Sequence, residues 1–254
     1  MSGHNKWSSI KHKKGAADAK RGKIFSRLGK EITLAAREGG GDADLNPRLR
    51  SAIAAAKAAN MPNDNVDRAI KKGTGQLEGE VLETLSYEGY APGGVAVIAT
   101  CLSDNRNRTA AEVRNLFTKY NSSLASSGAV AWMFHRKARF VIEGEQAEED
   151  ALLEILFESG ADVEDITVED GSAEIIAPAE AFGDVLGALE AAEVSVSESS
   201  LALIPETTVE ISDSSVARQV LRFIEQLEDN DDVQEVYSNV DIPDALIEEL
   251  AAES

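Results

Sequence analysis

One cysteine in 254 residues excludes a disulfide framework, and the place of Cys101 inside the apolar run VAVIATCL makes that thiol a core group. Long apolar runs are missing too: none approaches the roughly 18 residues a membrane-spanning helix needs, so no membrane partner is expected. The opening MSGHNKW lacks the apolar centre of a secretory signal, which together with the lone cysteine leads us to expect a soluble, cytoplasmic protein. Motifs of small-molecule chemistry are equally scarce. His4, His12 and His135 have no cysteine cluster or HExxH partner, and neither GxxxxGK[ST] nor GxGxxG occurs, so no metal, cofactor, catalytic residue or small-molecule substrate is expected. The acidic pairs Glu148-Glu149 and Asp231-Asp232 lie on polar stretches and read as solvated surface, since a general acid/base pair needs an apolar pocket.

What the chain has in quantity is acid, with a formal net charge of −20, which taken alone argues against a nucleic-acid partner. The average conceals the distribution. Residues 1–72 hold 16 Lys and Arg against 7 Asp and Glu, whereas the other 182 residues hold 9 against 38. Such bipolarity marks a polyanion-binding segment on an acidic body.

The length suits two or three domains. Residues 3–15, GHNKWSSIKHKKG, offer no face of either period and read as an extended arm. From about Ala16 the spacing predicts a helix with Ile24, Phe25, Leu28, Ile32, Ala35 and Ala36 on one arc. Lys20, Lys23, Arg27, Lys30 and Arg37 form a basic outer face opposite, and Gly39–Gly41 ends the helix. Asn46-Pro47 opens a second helix running to about Asn60, and a third spans about Asn63 to Lys72, before the polar linker GTGQLEGE. Beyond it, short β-branched runs alternate with helices. Residues 135–205 follow the split βαβ, ferredoxin-like order, and the flanking segments, which include AVAWMF as a strand, combine into one discontinuous unit around it. The expected architecture is α+β and multidomain: an N-terminal all-helical domain (1–75), then two ferredoxin-like α/β domains, one (135–205) inserted in the other (80–134 plus 206–245).

Nucleic-acid contact is expected from Lys6, Lys11, His12, Lys13 and Lys14 on the arm and Lys20, Arg21, Lys23, Arg27 and Lys30 on the first helix, since cations along a phosphate backbone release counterions. Trp7 either stacks on an unpaired base or folds back onto the helical core. In DNRNRTAAEVR, Arg106 and Arg108 occupy a helix start, where cations are unfavourable. They form either a phosphate clamp or ion pairs with nearby acids such as Glu112. The run HRKARF, with Arg136, Lys137 and Arg139, reads as edge-strand protection.

Several long motifs occur in order: GHNKWSSIKHKKGAADAKRGKIFSRLGKEI, NPRLRSAIAAAKAANMPNDNVDRAIKKG, YEGYAPGG, and DNRNRTAAEVR with GAVAWMF. Through them the chain resembles the YebC/PmpR family over nearly its full length. The resemblance implies three domains and no catalytic residues. It also implies a DNA-binding transcriptional regulator or, alternatively, a ribosome-associated factor that binds ribosomal or transfer RNA and relieves stalled translation. A protein-interaction scaffold, its basic helix docked on an acidic partner or on its own acidic domains, is a third expectation.

Overall fold

The structure, a computed structural model, describes residues 17–79, 81–169 and 171–253. Three helices come first: α1 (Ala17–Gly39), α2 (Pro47–Ala58) and α3 (Asn63–Gly73). Asn46 caps α2 by accepting from the Leu49 amide, while its own amide donates to the Ala35 and Gly40 carbonyls, so one buried side chain ends α1 and starts α2. Ile32, Ala35, Ala36, Leu49, Ala56 and Val66 form the core of this domain. The crossing of α1 and α3 is close: a Cβ on Gly73 would lie 2.4 Å from the Thr33 carbonyl oxygen.

An antiparallel hairpin follows, β1 (Glu83–Ala91) and β2 (Val95–Ser103), closed by a 3-10 turn at Pro92–Gly94 in which Gly93 has φ 79°. Then come α4 (Arg106–Lys119), β3 (Ser123–Leu124), β4 (Phe134–Glu143), α5 (Glu149–Ser159), β5 (Asp165–Glu169), β6 (Ser172–Pro178), α6 (Phe182–Ala191) and β7 (Val196–Pro205). The chain ends with β8 (Val209–Glu210), α7 (Ser214–Glu228), β9 (Val233–Ser238), β10 (Val240–Asp241) and α8 (Asp244–Glu253).

Two four-stranded sheets result, with orders β3-β1-β2-β9 and β5-β6-β4-β7; β8 and β10 pair separately in parallel. In the second sheet, formed wholly by the inserted segment, the central strands are the first and third in chain order, as the split βαβ order requires, and α5 and α6 cover one face. Helices α4 and α7 cover one face of the first sheet, where Phe117 and Phe223 meet edge to face at 4.8 Å. Its other face carries Ala96 and Ile98 against Val130 and Phe134. The protein is thus an α+β molecule with an all-helical N-terminal domain and two α/β domains, one inserted in the other.

Three local expectations change. AVAWMF is not a strand: residues Ala131–Met133 form a 3-10 turn, because the amides of Gly128, Val130 and Ala131 donate to the Glu88 carboxylate instead of to a neighbouring strand. HRKARF is not on an edge. Strand β4 lies between β6 and β7, and two of its cations are matched by acids: Arg139 pairs with Glu174 and Glu198 on the flanking strands, and Lys137 with Glu164 just before β5. Helix α8, which starts beside Pro243 and buries Ile247 and Leu250, extends the chain's order past position 245.

Candidate nucleic-acid interface

Of the residues singled out from the sequence, Lys6, Trp7, Lys11, His12, Lys13 and Lys14 lie outside the described residues, as do the side chains of Lys20 and Arg21. Lys23, Arg27 and Lys30 are described, and they do not form an outer face. They lie against residues 228–232, where α7 ends and turns into β9. Arg27 donates to the Glu228 carbonyl, and Lys23 donates to the Asp229 carbonyl (2.9 Å) and carboxylate (3.1 Å). Lys30 donates to the carbonyls of Asp231 (2.9 Å) and Leu102 (3.1 Å) and to the Asp232 carboxylate (2.7 Å). The physical reason is the end of α7: unsatisfied carbonyls and the negative dipole end attract cations, and three aspartates follow immediately.

Asp232 is the hub of this contact. It is 3% exposed, contrary to its expected place on a solvated surface, while its neighbour Asp231 is exposed. Its Oδ2 accepts from Arg108 (2.8 Å), Thr109 (2.7 Å) and Ser103 (3.1 Å), and its Oδ1 from Lys30. Burial alone would raise the carboxyl pKa, but the hydrogen bonds from Lys30, Arg108 and Thr109 outweigh it and hold the group well below the usual carboxylate range. Burial pushes the nearby Cys101 thiol up to about 12, with the Asp232 charge adding to the effect, so Cys101 is an inert core thiol.

Arg108 also pairs with Asp104 (2.7 Å), so this arginine at a helix start is held by two carboxylates, neither of them Glu112. Glu112 instead accepts from Asn230, tying α4 to the same turn. Arg106 is exposed beside this cluster. Farther along the same sheet, Glu235 retains solvent exposure, yet crowding by the protein, with the carboxylates of Glu198 and Glu31 nearby, raises it to about 7.

A different basic surface is present on the N-terminal domain. Arg68, Lys71 and Lys72 on α3 are exposed and have no ionic partner among the described residues. The sequence signal for them was the cationic last turn of α3, which reads first as a dipole-compensating helix end. No cluster of metal-ligating side chains and no helix long and apolar enough to cross a membrane occurs among the described residues.

Residues 5–76 match the family model for the TACO1/YebC protein N-terminal domain, and residues 82–240 match that for the TACO1/YebC second and third domain. The chain belongs to the TACO1/YebC family. Its similarity to curated members is high along the whole length. A probable transcriptional regulatory protein from Syntrophobacter fumaroxidans is 51% identical over 99% of this chain and 100% of its own. Another, from Desulforapulum autotrophicum, is 54% identical over 98% of this chain and 100% of its own. The crystal structure of a conserved hypothetical protein from Aquifex aeolicus superposes with a TM-score of 0.82 at 44% identity, covering 90% of this chain and 93% of that one.

Proposed function

We propose that this chain is a non-enzymatic, nucleic-acid-binding regulator of gene expression. The observation that carries this reading is the N-terminal domain's charge: even after Lys23, Arg27, Lys30 and Arg37 are bonded internally, Arg68, Lys71 and Lys72 on α3 have no ionic partner among the described residues. The arm residues Lys6, Lys11, Lys13 and Lys14 add density that no acid in that stretch offsets. Trp7 and His12 lie in the same stretch of sequence. Asp and Glu elsewhere keep the remaining surface off a polyanion, so contact is confined to one end. The names of the relatives favour the transcription reading.

The internal engagement of Lys23, Arg27 and Lys30 favours the ribosome-associated alternative. A helix that lies in a duplex groove needs an exposed reading face, and the basic face of α1 is covered by residues 228–232. Unpaired loops of ribosomal or transfer RNA can be bound without such a helix.

Replacing Arg68, Lys71 and Lys72 together with glutamine tests the common core of both readings. The slope of log K against log salt should become shallower by about 2 to 3 for duplex or single strand, at roughly 0.7 to 0.9 per lost phosphate contact. An unchanged slope would remove α3 from the interface. Crosslinking in cells with sequencing of the bound nucleic acid then separates the two readings: promoter DNA supports transcription, and ribosomal or transfer RNA supports translation.

A further inference from the structure

A cavity of about 440 Å³ opens between α1 and α3, within the roughly 300–1,000 Å³ typical of small-ligand sites. Its wall is built by helical periodicity. Phe25, Gly29 and Thr33 recur every four residues along α1, and Asn65, Ala69 and Lys72 follow at steps of four and three along the facing side of α3, so two stripes bound one groove. Gly29 leaves that wall open, and Phe25 and Met61 supply its apolar surface. Asn65 brings a side-chain amide with both donors and an acceptor. Three cations line it, Lys30, Arg68 and Lys72, and no carboxylate does. Lys30 is held by Asp232, whereas Arg68 and Lys72 have no ionic partner among the described residues.

We propose that this groove receives one unpaired nucleotide of a nucleic-acid strand, its base against Phe25 and Met61 and its phosphate at Arg68 and Lys72. The inference rests on the nucleic-acid-binding reading and sharpens it to a ligand with an extruded or single-stranded base. Shape argues for this: the space is too small for a duplex and ample for one base with its sugar. The chemistry agrees, since every base has a face that stacks on an aromatic ring and an edge that an amide can address. Arg68 and Lys72 are i,i+4 neighbours with Cβ atoms about 5–6 Å apart, close enough to share one phosphate.

The test uses the full chain and fluorescence anisotropy with four probes: an oligouridylate, a fully paired RNA duplex, the same duplex with a single bulged nucleotide, and free uridine monophosphate as competitor. The wild type should bind the bulged duplex about tenfold more tightly than the paired one, the scale of one stacked base. Arg68→Gln with Lys72→Gln should collapse that ratio toward one. Phe25→Leu, which keeps an apolar side chain on the helical core and every cation, should collapse it as well, separating stacking from charge. A fluorescent base analogue at the bulge should be quenched by the wild type and not by Phe25→Leu. Equal binding of bulged and paired duplexes by the wild type would overturn the groove assignment while leaving nucleic-acid binding intact. Binding to none of the strands would overturn both. Displacement of the strand by the free nucleotide at comparable concentration would overturn assignment to a strand and make this a small-molecule site.

Discussion

Asp232 shows how one side chain can decide where a domain sits. A buried carboxylate is costly unless its oxygens are fully bonded, and here four donors from α1, β2 and α4 converge on it. Asp232→Asn keeps the shape but removes the charge that Lys30 and Arg108 face. Because both cations keep partial solvent access, the expected loss is about 2 kcal/mol rather than the larger cost of orphaning fully buried charges, measurable by urea denaturation. The pH dependence has a definite sign. The folded-state pKa is depressed below the unfolded value, so the stabilisation is complete above the unfolded carboxyl range and is lost as pH falls toward the folded pKa. The wild type should therefore lose more stability than the variant on acidification below about pH 4. Parallel acid limbs for the two proteins would show that Asp232 carries none of this linkage.

At the scale of elements, legibility followed how local the cause was. The start of α2 could be read because Asn46-Pro47 is a cap written in adjacent residues, and the end of α1 because the consecutive glycines Gly39–Gly41 disfavour further helix. The 3-10 turn at Trp132 could not, because its cause is Glu88, forty residues earlier. The destination of the basic face of α1 was hidden for the same reason, its partner lying some two hundred residues away. A signal did exist: arginines at the start of α4 and aspartates after the end of α7 both break the helix-dipole preference, and the two breaks meet at Asp232. Glycine explains part of YEGYAPGG. A Cβ on Gly89 would lie 2.3 Å from the Ser123 carbonyl oxygen and 2.4 Å from the Phe117 ring, atoms that cannot swing aside cheaply. Gly89→Ala should then cost about 1–3 kcal/mol by overpacking, seen as a lower denaturation midpoint with an unchanged slope. A midpoint equal to wild type would mean that β3 and α4 shift freely.

For the whole molecule, bipolar charge does two jobs that compete. The acidic body that repels a polyanion also supplies, at residues 228–232, an anionic surface on which the N-terminal domain docks through Lys23, Arg27 and Lys30. Burial lowers the Arg27 pKa, and the acids Glu228 and Glu235 only partly counter this, so the contact is desolvated enough to resist salt at its centre. Lys23 and Asp229, both exposed, should be the first to weaken as salt rises. Lys23→Gln, Arg27→Gln and Lys30→Gln combined leave the three-helix core untouched, since that core is built from the opposite face of α1. Calorimetry of this variant should resolve a separate, earlier transition for the N-terminal domain, whereas the wild type unfolds with the domains coupled. Raising the salt should move the wild type part of the way toward the variant. If the variant instead melts in one step at the wild-type temperature, apolar contacts alone dock the domain.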